Sequence, residues 1–272
     1  MIRKVFYILF VLLMVSCEEE ADWPLENEDP GVIVIDGIIT NEHKYQRIEI
    51  FHPIKELNEK PEAVCNANVR IISKDTLVFL HESNLYPGYY FTAFPLAATP
   101  DRYYRLSVKS EGKEYQAVAY MQSGKDFQKL EYQQVPGSDL FEIRQVSNEY
   151  DFNTPAMYEL YLDWSYLPPY ADSAENDTRA LLYYYALPSL DVSQIFAPAA
   201  EKVHFPAGTI ILQKRYSLTE EHAAYIRDVL LETTWTGGLF DPIHANTGGN
   251  LSDGAVGYFG ACGVTADTIF VW

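Results

Sequence analysis

Three cysteines, six histidines, 38 acids and 21 tyrosines are the side chains of this 272-residue chain from which chemistry could be built. A nucleophilic or metal-assisted reaction needs such groups at particular spacings, and those spacings do not occur. There is no G-x-S-x-G elbow to present a serine at a strand-to-helix turn, no glycine-rich phosphate loop and no H-E-x-x-H pair. His43, His52, His81, His204, His222 and His244 are scattered, with none paired at metal-ligand spacing. Glu220-Glu221-His222 falls in the first turn of a predicted helix, where carboxylates favour the positive end of the macrodipole, so capping explains it better than catalysis. Many carboxylate pairs could in principle serve glycoside hydrolysis, but nothing selects one. The expectation is a protein that is not an enzyme, with no catalytic residue, cofactor or metal.

The tyrosines are more suggestive. Tyr158, Tyr161, Tyr166, Tyr170, Tyr183, Tyr184 and Tyr185 crowd around an acidic, proline-bearing loop. Exposed aromatics beside carboxylates make a surface for sugars, peptides or a protein partner, and Tyr166, Tyr170 and Tyr184 are the candidate ligand surface. The competing reading is that tyrosine is a favoured strand residue that fills cores and cross-strand pairs. Cys65 and Cys262 offer either one disulfide or two separate thiols, and a separation of 197 residues does not decide between them. Asp75-Thr76, Asp172-Ser173 and Asp267-Thr268 each precede an apolar residue and resemble an O-glycosylation acceptor, with Ser173 the one expected at the surface.

The third cysteine has a context. Arg3 and Lys4 precede an unbroken apolar run over residues 5–15. Eleven helical residues rise only about 16 Å, too short for a hydrocarbon core of about 30 Å. The run suits the apolar region of a cleavable secretion signal over residues 1–16. Leu13-Met14-Val15-Ser16-Cys17 resembles a bacterial lipobox, in which the chain is cut before the cysteine and its thiol carries a diacylglycerol; Met14 stands where leucine is commonest. Cys17 is therefore the expected lipidation site and the membrane the expected contact. Glu18, Glu19 and Glu20 follow at once and resemble the acidic export tag that sends Bacteroidota lipoproteins to the outer face of the outer membrane; as a plain carboxylate run they would be a solvated tether, and both readings can hold.

Removing residues 1–16 takes away two positive charges and no acid, which moves the formal charge from −18 to −20. That balance argues against a nucleic-acid partner, because phosphate contacts need clustered Lys and Arg. It also leaves the lipid, not surface charge, as the means of attachment.

These groups must be positioned by a mainly β chain. Residues 17–30 read as a lipidated acidic tether. From residue 32 short apolar or alternating runs recur with turns every ten residues or so, at 32–35, 47–51, 67–71, 76–80 and 89–91. The clearest hairpin pairs Tyr104, Leu106 and Val108 with Tyr115, Ala117 and Ala119 across Glu111-Gly112. The pattern predicts a β-sandwich domain over 31–122, and Ser123-Gly124-Lys125-Asp126 reads as a boundary. The second β-rich (α+β) region, 126–272, is predicted to carry strands at 142–146, 158–164, 181–186, 209–215, 256–259 and 268–272. It also holds one long helix near 219–235, capped by Ser217 or Thr219 and closed by Gly237-Gly238.

Around that helix a recognisable order appears. Ser217-Leu218-Thr219-Glu220-Glu221 opens it, and Gly238-Leu239-Phe240-Asp241-Pro242, Asn246-Thr247-Gly248-Gly249-Asn250-Leu251 and Val256-Gly257-Tyr258-Phe259 follow. Upstream lie Val34-Ile35-Asp36-Gly37-Ile38-Ile39-Thr40, Ala67-Asn68-Val69, Pro87-Gly88-Tyr89-Tyr90, Tyr104-Arg105-Leu106 and Gly112-Lys113-Glu114-Tyr115. Together they resemble the Bacteroidota lipoproteins grouped as domain of unknown function 4249. The resemblance implies an immunoglobulin-like N-terminal sandwich, an outer-membrane lipoprotein and a TonB-dependent transporter as neighbour; it supplies no catalytic residue. Read bottom-up, Asn246, Gly248, Gly249 and Asn250 make a turn that holds helix to sheet. The resulting expectation is a surface-exposed outer-membrane lipoprotein that aids ligand capture by such a transporter, with a structural or adhesive envelope module as the alternative and a secreted hydrolase last.

Overall fold

The computed structural model describes residues 31–54, 59–146, 154–187, 202–233 and 248–272. The signal, Cys17, Glu18, Glu19 and Glu20 lie outside the described residues, as do Gly237-Gly238 and the stretch from Gly238 through Thr247.

The N-terminal strands form where alternation demands them: β1 (Ile33–Thr40), β2 (Arg47–Phe51), β3 (Asn68–Ser73), β4 (Thr76–Glu82), β5 (Tyr89–Thr92), β6 (Arg102–Ser110) and β7 (Lys113–Met121). Glu111 and Gly112 both take positive φ in the β6–β7 turn, the geometry a tight hairpin needs. Further on come β8 (Glu131–Gln134), β9 (Leu140–Gln145), β10 (Ala156–Asp163), β11 (Arg179–Ala186), β12 (Phe205–Pro206) and β13 (Ile210–Ser217). Helix α1 (Glu220–Thr233), β14 (Ala255–Val256) and β15 (Phe259–Phe270) complete the described chain. Thr219, not Ser217, caps α1: its Oγ1 accepts the His222 N–H at 3.2 Å, while the Ser217 hydroxyl accepts from Arg215.

Among the described residues twelve strands join in one sheet, in the order β11-β10-β13-β15-β1-β2-β5-β4-β3-β6-β7, with β14 also on β1. The last long strand makes this possible. Phe259 to Cys262 pair in parallel with Gly37 to Thr40 of β1, and Gly263 to Phe270 pair antiparallel with β13. Residues 32–272 accordingly form one compact unit, with β15 serving strands on both sides of the Ser123–Asp126 stretch. The sheet curls until β7 runs beside β15, where isolated bridges join Ala117 to Leu251 and Gln122 to Cys262.

The curled part encloses a sandwich-like core in which Ile35, Ile39, Ile48, Ile50, Ile71 and Leu106 have no exposed surface. Burial on that scale removes apolar surface from water, the main favourable term in folding. A second core lies between β10, β11 and β13 and the small sheet β12-β9-β8, and takes in Tyr158, Leu160, Leu162 and Trp164, the face expected to point inward. On the opposite face, α1 lays Ala223, Ile226 and Leu230 over Tyr216, Cys262 and Val264. Among the described residues the fold is thus mainly β, sandwich-like, with one α-helix.

Candidate functional site

Beside α1, on the same face of the sheet, β1, β2, β10, β11 and β13 frame a cleft of about 410 Å³. Register puts its groups there. Asp36 lies directly across from Glu49 in the β1–β2 pair, and Glu159 lies across from both Tyr183 and Lys214. Tyr45 and Phe91 supply further aromatic wall.

Most charges here are paired. Lys214 Nζ sits 2.9 Å from Glu42 and 3.5 Å from Glu159, and Lys44 reaches Glu42 at 2.7 Å. Burial raises the Glu42 carboxyl, but the two lysines outweigh it and hold Glu42 below the usual carboxylate range. Arg47 bonds Glu49 at 2.7 Å and stands 5.4 Å over the Tyr89 ring. The Tyr216 hydroxyl donates to Glu159 at 3.2 Å, and its burial beside that carboxylate pushes the phenol upward. Asp36 differs. Among the described residues its carboxylate accepts one hydrogen bond, from the neighbouring Gly37 N–H at 2.9 Å. Desolvation in the cleft, aided by Glu49 and opposed by the Gly37 bond and the nearby Arg47 charge, pushes the carboxyl up to about 6, although its outer surface stays open to solvent. Like charges directly opposite on paired strands are destabilising, so this arrangement invites a positive group from outside.

The tyrosines chosen from sequence do not converge on this cleft. Tyr166 is 52 % exposed, but its hydroxyl is bonded to the Gly208 carbonyl. Tyr170 packs against the second core. Tyr184 is a correction: it pairs with buried Tyr158 and turns into the second core, while its neighbour Tyr183, 46 % exposed, faces the cleft. A run of three tyrosines carries no phase, and the β10–β11 register that decides it cannot be read locally. Asp36, Arg47, Glu49 and Glu159 were not selected from sequence, because strands far apart in the chain bring them together. Ser173 is exposed, whereas Thr76 and Thr268 lie within β4 and β15.

Of the two readings of Cys65 and Cys262, the structure has the separate thiols, not the candidate disulfide. Cys65 is exposed before β3, and Cys262 is buried in β15; both are free thiols. Cys262 Sγ instead lies 3.6 Å from His222 Nδ1. Burial drives both groups to neutrality, pushing the thiol up to about 12 and the imidazole down to about 4. The pair is therefore not a thiolate–imidazolium nucleophile. His222 stacks on Tyr258 at 4.6 Å, and Tyr225 covers the other face of that ring at 4.7 Å.

A pH effect follows from His222. The unfolded chain takes up its proton near 6.5, whereas the folded chain resists until about 4. The stability this contributes is complete above pH 6.5 and is lost as pH falls towards 4. Between pH 7 and pH 4 the wild type should lose about 3 kcal/mol more than His222→Gln does. Urea unfolding of both chains at the two pH values measures this, and parallel losses would contradict it.

Among the described family-like residues, Asn250 is structural. Asn250 Nδ2 donates to the Phe259 carbonyl at 2.8 Å and to the Val118 carbonyl at 3.2 Å, while its Oδ1 accepts the Phe259 N–H at 2.9 Å. Among the described residues no group of three or more His, Cys, Asp or Glu is arranged to hold a metal ion. Nor, among them, is any helix long and apolar enough to cross a membrane.

Comparison with known families matches residues 18–268 to a family described as a domain of unknown function, DUF4249. No curated protein matches the chain. The match covers nearly all of the sequence, and the chain belongs to that family.

Proposed function

We propose that this member of DUF4249 is a lipid-anchored protein of the outer-membrane surface that captures a ligand for a TonB-dependent transporter. The observation that carries the reading is the cleft around Asp36. It combines aromatic walls from Tyr45, Phe91 and Tyr183 with the Asp36 carboxylate, which forms no ion pair among the described residues, since Arg47 beside it is paired to Glu49. Such a site suits a ligand with a positively charged group set against an apolar body. Cys17 with Glu18, Glu19 and Glu20 supports the placement, since a lipid anchor followed by acids would hold an acidic body at a membrane it does not otherwise bind. Protease applied to intact cells tests the placement. The chain should be degraded while a periplasmic control is spared; if it survives together with that control, surface exposure is wrong.

A further inference from the structure

At the end of the sheet where the chain enters β1, a stripe of apolar side chains crosses neighbouring elements on the face turned away from the core. Register lays it out: Val34 pairs with Val256 on one side and with Phe51 on the other, and residues directly opposite share a face. The Phe51 ring meets Tyr89 edge-on at 5.5 Å, and Tyr89 meets Tyr86 at 6.2 Å. Their strand neighbours Ile33, Ile35 and Ile50 alternate inward and fill the core, so the stripe is not part of it.

The stripe ends in the β4–β5 turn, Ser83-Asn84-Leu85-Tyr86-Pro87-Gly88, which carries no charge. Leu85 is 82 % exposed there and Tyr86 62 %. The turn is fixed by its own bonds. Ser83 Oγ accepts the N–H groups of Leu85 and Tyr86 at 3.3 and 3.1 Å, Glu82 accepts the Gly88 N–H at 3.1 Å, and the Tyr86 carbonyl accepts the Tyr89 N–H at 3.2 Å. A bonded turn thus holds a leucine and a tyrosine out in water, at a hydration cost that a contact would remove. Glu62 and Glu111 both approach His52 at this end, through its N–H and its ring respectively, so an anionic surface would be repelled.

We infer that this end of the protein rests on a lipid surface of zwitterionic headgroups, with Leu85 and Tyr86 entering the interfacial layer. The inference rests on the lipid anchor proposed at Cys17. Fourteen residues, 18–31, separate that cysteine from Val32, and they can span at most about 50 Å. They join β1 at the end that carries the stripe, so this is the end an anchor brings to the membrane most readily. Leucine supplies apolar bulk, and tyrosine an amphipathic ring suited to headgroup depth. A fluid layer closes around two protruding side chains, whereas a protein partner would need a pocket cut to fit them. The acyl chains hold the body; these side chains orient it.

The test uses the full mature chain with its acyl group, placed in protein-free phosphatidylcholine vesicles whose headgroups carry a nitroxide. A fluorophore on Cys65 reports proximity, because that thiol is exposed just after the 62–64 stretch bonded to the end of β2, while Cys262 is buried. Its emission should be quenched in the wild type, and the quenching should fall at least about twofold in Leu85→Ser/Tyr86→Ser. Phe94→Ser, which removes an exposed aromatic beyond the far end of β5, should leave it unchanged. All three substitutions are at exposed positions, and urea midpoints check that the variants fold. Equal quenching in the wild type and the double variant would overturn the inference, as would an equal fall in Phe94→Ser. A surface built for a protein partner would leave the wild-type probe unquenched, which also overturns it. Mass spectrometry reads the anchor separately: a mature chain without the acyl mass would overturn the anchor and this inference with it, whereas an acylated chain with an unquenched probe overturns the inference alone.

Discussion

Gly257→Ala is expected to prevent the native fold, not merely weaken it. Gly257 follows β14 with φ of +106°, a region that costs an L-residue about 1–2 kcal/mol. The larger obstacle is space. A Cβ there would stand 2.3 Å from the Ile35 carbonyl oxygen and 3.1 Å from its carbon, and both belong to the main chain of β1. Strand β1 cannot retreat cheaply, because Ile35 is fully buried and β1 is paired to β2, β14 and β15. The Tyr258 carbonyl also accepts the Gly37 N–H at 3.2 Å, so displacing this turn breaks the start of the β1–β15 pairing. A loss above about 4 kcal/mol is expected, enough to unfold a domain of ordinary stability. Gly112→Ala is the control, since φ there is +79° but no atom lies within 4 Å of the new methyl. It should cost about 1 kcal/mol. Folded yield and urea midpoints of the two variants measure the difference; a Gly257→Ala chain as stable as Gly112→Ala would refute the packing described.

Cys17→Ser should move the protein from the membrane pellet to the soluble fraction. Acyl chains contribute about 0.8 kcal/mol per buried methylene, and two chains suffice for stable anchoring. In the proposed reading these chains are what holds the mature protein to the membrane. The formal charge of −20 without residues 1–16 gives no basic patch for anionic headgroups, and serine offers no thiol for the diacylglycerol. Fractionation with mass spectrometry of the N-terminus reads both the location and the acyl mass. Retention of the serine variant in washed membranes would remove the lipid from the mechanism.

How far the fold could be read ahead depended on side-chain contrast. The β6–β7 hairpin and the inward face of β10 were legible because large apolar residues alternate with polar ones. Helix α1 was legible from its cap and its 3.6-residue stripe. Strand β15 was not. In its first half, Phe259-Gly260-Ala261-Cys262-Gly263, every residue after Phe259 is small, and neighbours press against it. A side chain at Gly260 would stand 2.5 Å from the His222 ring, and one at Gly263 would stand 2.3 Å from the main chain of Gln122 and Gly124. Close packing erased the pattern that betrays a strand, and with it the link between the two halves of the sheet.

The candidate site was less legible still. Asp36, Glu49, Glu159 and Tyr183 meet only through cross-strand register, and register follows from long-range packing. Tyr184, chosen from sequence, turns to the second core while its neighbour Tyr183 faces the cleft, since successive strand residues point to opposite faces. By contrast, Asn250 was read as bonding turn backbone, and its side chain does so with Val118 and Phe259.

The most direct measurement for the proposed role is affinity purification of the tagged chain from native membranes in mild detergent. Capture on behalf of a transporter requires that a TonB-dependent barrel protein be recovered with the wild type, and less of it with Cys17→Ser. Recovery of the chain without any barrel transporter, from membranes in which one is abundant, would contradict that role.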